Sequence, residues 1–252
     1  MHANPWSSWC SQVYYLRTDL FRPSLVAHSA RVTVVARGVN ALKDVAARLG
    51  VATISADVTD EAAAHRIVCE VRPDILVLNA GTPPPMGRID QLSWTNFSAT
   101  WETDVKAGLY WLQAALKQPL KPGSRILVTS SGAGHTGSPM SGGYAGAKRT
   151  LWFMAKYANG VAEQKGLGIR VQAILPMQMV GGTGVGDAGA RGYARVRGIT
   201  PEEFLAQFPT SMPPREFGEK VVSVLEDPNY AEGVAFGLRG DTGITILEGA
   251  AA

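Results

Sequence analysis

The sequence predicts an α/β fold in three layers, with a parallel sheet covered by helices on both faces. Three observations carry this. Short β-branched apolar runs alternate with segments of helical spacing. The runs are almost continuously apolar, as strands buried on both sides must be. A chain of 252 residues is long enough for one large domain with a real core. No repeat or linker divides it, so residues 1–252 read as a single domain.

Residues 1–24 are atypical: they mix Trp, Ser, Tyr, Pro and charge without period, and Met1 to Leu25 contains no glycine. From Arg31 the pattern is regular. Residues 31–36 are a β-branched strand, and 40–49 a helix with Ala41, Leu42, Val45, Ala46 and Leu49 at helical spacing. Residues 52–56 form a strand ending at Asp57. Residues 60–71 form a helix with Ala64, Ile67, Val68 and Val71 inward. The strand 74–78 runs into Asn79-Ala80-Gly81, and a loop with Pro83, Pro84 and Pro85 follows. A long helix over 93–117 is stopped by Pro119 and Pro122.

The strand 125–129 leads into Ser130, Ser131 and a glycine-rich loop, then a helix over 143–165. The strand 168–175 stops at Pro176. Residues 181–200, rich in Gly and Arg and without period, read as a mobile loop, so 181–212 is expected to be an irregular substrate loop. Residues 201–208 and 215–226 read as helices, and 233–238 as a final strand.

Composition narrows the function classes. Hydrophobic residues make up 46% and charged ones 18%, with a net charge of only +3. Lys and Arg are scattered, which argues against a nucleic-acid partner. No apolar run approaches ~18 residues, so no membrane span is expected. Cys10 and Cys69 stand alone without metal spacing, so no metal is expected, and they fit a reducing, cytoplasmic setting. Nothing at the N-terminus reads as a signal peptide.

In open parallel sheets, ligands bind at the carboxyl ends of the strands. Arg37, Asp57, Asn79, Ser131 and Pro176 all fall there. Tyr144 and Lys148, four apart, share a helix face. An ammonium there would lower the phenol's pKa from its usual value near 10 and make Tyr144 a usable acid or base. By itself the pair also reads as an ordinary helix face. His135, four residues after Ser131, raises a Ser–His hydrolase reading, but no GxSxG elbow surrounds Ser131.

Together, Asn79-Ala80-Gly81, Ser131 and Tyr144-x-x-x-Lys148, in that order and spacing, resemble the short-chain dehydrogenase/reductase family from about Ala30 to Pro176. The resemblance implies a Rossmann-like doubly wound sheet and a nicotinamide cofactor. It implies that Tyr144 transfers the proton to or from a substrate oxygen. Lys148 would lower the Tyr pKa and hold the nicotinamide ribose, and Ser131 would position the oxygen. Asn79, Ala80, Gly81 and Pro176 would line the cofactor, and Asp57-Val58 would flank the adenine, although Asp57 equally suits a turn cap. Ala36 stands where members that prefer NAD usually carry an acid, and Arg37 could pair with a 2′-phosphate, which favours NADP(H) over NAD(H). The implied function is interconversion of a small-molecule carbonyl and an alcohol. A homodimer or homotetramer would be built from the helices near 93–117 and 143–165. Trp101, Tyr110, Trp111, Trp152 and Phe153 suit such an interface, and core packing explains them nearly as well. Pro83 to Met86, Met140, Met177, Met179 and Phe204 suggest a partly apolar pocket.

Three positions depart from the family. Its TGxxxGxG phosphate loop would fall near residues 11–18, after a strand at 6–10, and no glycine is there. A divergent cofactor site, a silent relative acting as a binding partner, and a shifted reading frame all remain open. Asp104 replaces the usual Asn and places a carboxylate near Lys148. Met177 follows Pro176 where the family has Gly, making the backbone less permissive.

Overall fold

The computed structural model describes residues 12–15, 31–118, 120–180, 183–208 and 212–249. Among them lies one sheet of eight strands: β1 (Gln12–Tyr15), β2 (Val32–Ala36), β3 (Ala52–Ser55), β4 (Ile75–Leu78), β5 (Arg125–Thr129), β6 (Arg170–Pro176), β7 (Gly233–Arg239) and β8 (Gly243–Gly249). Their spatial order is β3-β2-β1-β4-β5-β6-β7-β8. All neighbours are parallel except β7 and β8, which run antiparallel. The chain turns from one direction of winding to the other between β1 and β4, the crevice where a doubly wound Rossmann-like sheet takes its ligand.

Alternate residues of each strand supply opposite faces. Leu76, Leu78, Ile126 and Val128 pack on one side with Ile67 and Val68 of α2 (Glu61–Val71), Trp111 of α4 (Lys106–Lys117) and Leu151 of α6 (Gly142–Gln164). Ile75, Val77, Leu127 and Ile174 pack on the other with Leu42 of α1 (Val39–Leu49) and Phe217 and Val221 of α9 (Pro214–Glu226). The sheet thus lies between two cores. Local chemistry starts and stops the helices. Asp60 caps α2 by accepting from Ala62 and Ala63 N–H, and Gly50 ends α1 in the left-handed region.

Four sequence expectations are corrected. The strand between β2 and β4 is Gln12–Tyr15, within the stretch where the phosphate loop was expected. Val13, Tyr14 and Tyr15 have the β-branched and aromatic character a strand favours, and the count back from β2 assumed too long a connection. Residues 6–10 lie outside the described residues. The connection to β2 also lacks glycine, since the first glycine is Gly38.

Second, the 181–200 stretch is largely helical: α7 spans Gly184–Arg197, capped by Thr183 and closed by Gly198 at φ 66°. Its buried face is Ala190, Gly192 and Ala194, too small to register as apolar period. The short α8 (Pro201–Ala206) follows, with a capping box between Thr200 and Glu203. Third, residues 233–238 are not the last strand, because β8 turns back at Gly243 (φ 83°) to cover the edge. Fourth, the segment after Ser131 begins with a short helix, α5 (Gly132–Thr136), not a loop. The long 93–117 helix is present as α3 (Trp94–Thr100), a π turn at Trp101–Val105, and α4. Among the described residues no helix is long and apolar enough to cross a membrane.

Candidate active site

Strands β4, β5 and β6 deliver their carboxyl ends to one side of the molecule, and α6 crosses beside them. Three close approaches fix that crossing. A Cβ at Gly143 would lie 1.9 Å from Phe97 O, and one at Gly134 would lie 2.9 Å from the α6 backbone. Only glycine lets backbones meet this closely. Ser130 Oγ donates to Lys148 O at 2.7 Å, tying the end of β5 to the helix.

Tyr144 and Lys148 are one turn apart on α6, with Lys148 Nζ 5.6 Å from the Tyr144 ring centroid. Both are buried, at 8% and 5% exposure. Across from them the π turn aims Asp104 inward. Its Lys106 N–H reaches back five residues to Trp101 O, the irregularity that re-directs side chains at functional sites. Trp101 Nε1 donates to Gly143 O at 2.9 Å and locks the turn against α6. Asp104, 2% exposed, sets Oδ2 3.0 Å from Lys148 Nζ. Its Oδ1 accepts from Thr82 N–H at 3.0 Å. A Cβ at Gly81 would sit 2.8 Å from Asp104 Oδ2, so glycine there makes room for the carboxylate. Lys148 Nζ also donates to Thr129 O at 3.3 Å. Ser131 accepts from Ala133 N–H at 3.2 Å, capping α5, and its hydroxyl is a neighbour of the Tyr144 phenol.

The electrostatics differ from the sequence expectation. The Tyr144 pKa is raised, not lowered. Burial, which disfavours phenolate, outweighs the Lys148 charge and the nearby Ser131 hydroxyl, and Asp104 adds to the rise. Burial acts to depress Lys148, but Asp104 and Tyr144 overturn this and hold its pKa above the ordinary value.

Asn79, Gly81, Asp104, Ser131, Tyr144, Lys148 and Pro176 converge on one cavity of about 550 Å³. Arg37, Asp57, Val58 and Ala80 do not line it. Arg37 is exposed beyond β2, with Nη1 3.6 Å from Asp57 Oδ2. Asp57 accepts from Thr59 N–H and Oγ1 at 2.9 and 2.8 Å, so it makes the turn cap. Those two bonds, with a smaller share from Arg37, hold its carboxyl below the usual range. Val58 is buried, and its carbonyl accepts from Trp111 Nε1. Trp111 and Trp152 are core residues, while Phe153 keeps an exposed edge. Met177 carries no positive φ, so the missing glycine leaves no strain. His135 lies on the Trp152 ring at 5.8 Å and makes no bond to Ser131.

Pro84, Met86, Met177, Met179 and Phe204 make the cavity wall partly apolar, whereas Met140 is buried outside it. The sequence reading missed Thr129, Ser138, Ser141, Tyr193, Arg197 and Phe208, which also line it. Ser138 Oγ lies 2.6 Å from Ser141 Oγ and 2.7 Å from Tyr193 Oη, forming a hydroxyl chain along one wall. Tyr193 and Arg197, four apart, become visible as a pair only once α7 is known to be a helix.

The donor set suits a nicotinamide riboside. Lys148 Nζ donates to Thr129 O and pairs by charge with Asp104 Oδ2, which leaves N–H capacity for a ribose hydroxyl. Buried Thr129 Oγ1 has no partner among the described residues.

Residues 24–192 match the family model described as enoyl-(acyl carrier protein) reductase. The chain is 31% identical over 152 residues to an uncharacterized oxidoreductase of Thermotoga maritima. That match takes in 59% of this chain and spans a little over half (56%) of the relative. The fold is similar to NAD+-bound xylitol dehydrogenase, with TM-score 0.77, 19% identity and coverage of 91% of this chain and 96% of that one. It is also similar to a variant of actinorhodin polyketide ketoreductase with NADPH, with TM-score 0.77, 22% identity and coverage of 95% and 98%.

Proposed function

Because the chain belongs to the short-chain dehydrogenase/reductase family, we propose that it is an NADP(H)-dependent oxidoreductase interconverting a carbonyl and an alcohol. The observation that carries this is the buried trio of Tyr144, Lys148 and Asp104 with half-buried Ser131 around one cavity. When bound, the nicotinamide supplies or accepts the hydride. Lys148 holds the ribose through its remaining N–H, Ser131 orients the substrate oxygen, and Tyr144 gives or takes the proton at that oxygen. Asn79, Gly81 and Pro176 shape the cofactor side of the cavity. The apolar wall and the hydroxyl chain of Ser138, Ser141 and Tyr193 suit an apolar substrate carrying a second polar group. A cytoplasmic homodimer or homotetramer is proposed, with Leu109, Phe153 and Tyr157 as exposed apolar residues of α4 and α6.

Purified protein titrated with NADPH is expected to enhance nicotinamide fluorescence and then consume NADPH with a panel of ketones, aldehydes and quinones. No binding at millimolar cofactor would leave the silent binding partner as the reading, and the glycine-free connection after β1 would be its cause. The NADP(H) preference rests on Arg37 and on Ala36 beside it. Arg37→Ala is expected to raise KM for NADPH about ten-fold, the size of one lost charge-assisted contact. KM for NADH should stay unchanged. Equal effects on both cofactors would remove Arg37 from 2′-phosphate recognition.

A further inference from the structure

Asp104 is a carboxylate where proton transfer itself requires none. Two charged groups face Tyr144: Lys148 from its own helix and Asp104 from the π turn, with the Ser131 hydroxyl as a neutral third neighbour. Arg149, the next cation along α6, stacks instead on Trp152 and Phe153 at 4.3 and 4.7 Å. The buried trio of aspartate, lysinium and phenol is therefore neutral while Tyr144 keeps its proton. Loss of that proton leaves one net negative charge among side chains at least nine-tenths buried. Burial disfavours net charge. With a neutral residue at 104 the count reverses: the protonated trio carries +1, and losing a proton makes it neutral.

We propose that Asp104, by cancelling the Lys148 charge, holds the proton on Tyr144 at neutral pH, so that the resting site is loaded to protonate a carbonyl oxygen and alcohol oxidation sets in only at higher pH. The direction rests on the oxidoreductase reading above, whereas the charge count does not. In the reduction, the carbonyl carbon takes a hydride from reduced nicotinamide and its π pair moves to oxygen. Tyr144 gives that oxygen its proton and is re-protonated from water. The reverse reaction needs Tyr144 as phenolate, the form Asp104 disfavours. Asp104 does not touch the reacting atoms; it is a positioning residue acting through Lys148.

The test titrates tyrosinate absorbance of the full chain without cofactor, unmodified and as Asp104→Asn, each against the same protein carrying Tyr144→Phe to isolate one phenol. The unmodified protein is expected to release the Tyr144 proton only above about pH 10, and Asp104→Asn at a pH lower by about 1 or more. With cofactor, the pH at which alcohol oxidation reaches half of its alkaline plateau is expected to fall by about 1 in Asp104→Asn, following the phenol whose ionisation limits it. Merely loosened packing would lower both directions without moving the pH profile. An unmoved or upward titration in Asp104→Asn overturns the proposal. If that variant fails to fold, ionisation of Tyr144 near neutrality in the unmodified protein overturns it equally, and ionisation only in strong alkali supports it. A downward movement with no turnover on any carbonyl supports the charge assignment and overturns the oxidoreductase reading.

Discussion

Tyr144→Phe is expected to lower kcat for carbonyl reduction by about 10²–10⁴-fold, the usual contribution of a positioned general acid. KM should change little, because the ring stays and only the hydroxyl is lost. The loss in stability should stay within about 1 kcal/mol: the buried ring keeps its packing, and the cost of burying the phenol oxygen ends with it. Steady-state NADPH consumption and a thermal melt read both. A variant that folds and keeps full turnover would end the role assigned to Tyr144. A variant that loses activity together with its melting transition would show that the ring position, not the proton, had been disturbed.

The larger effect on stability is expected at Lys148. Lys148→Met fills similar space but strips Asp104 of its cation, leaving a carboxylate at 2% exposure with only Thr82 N–H as a donor. Breaking a buried pair from one side costs about 3–5 kcal/mol. Denaturant unfolding should register that loss, and activity should fall with it because the ribose contact also goes. Adding Asp104→Asn to Lys148→Met should restore most of the stability, since no uncompensated charge then remains. It should not restore activity. A double variant as unstable as Lys148→Met would mean that the loss came from packing, not from an orphaned charge.

Much of the fold was legible because burial on both faces leaves a plain signature. Residues 32–36, 75–78 and 125–129 are apolar runs, and each is a strand within a residue or so of its expected bounds. The α7 segment was not legible: its inward face is glycine and alanine, and a helix that packs through small residues shows no large-residue period. The first strand was placed too early because its position was reckoned from connection length, not from its own residues. The eighth strand pairs antiparallel at an edge, with one side open to solvent, so it lacks the continuous apolar run that marks the others.

At the site, spacing by itself put Tyr144 and Lys148 on one helix face and Ser131 at a strand end, and the family resemblance implied that the three meet. A strand end and one helix turn are local geometry, and local geometry follows from period. Sequence could also state that Asp104 was a carboxylate in an unusual place. Only the tertiary structure decided where that carboxylate sits. The π turn and the room left at Gly81 bring Asp104 within 3.0 Å of Lys148, and Asp104, Lys148 and Tyr144 are all buried. Those are long-range facts, and they reverse the expected direction of the Tyr144 pKa, because a charge's effect depends on its distance and on how much water is excluded around it.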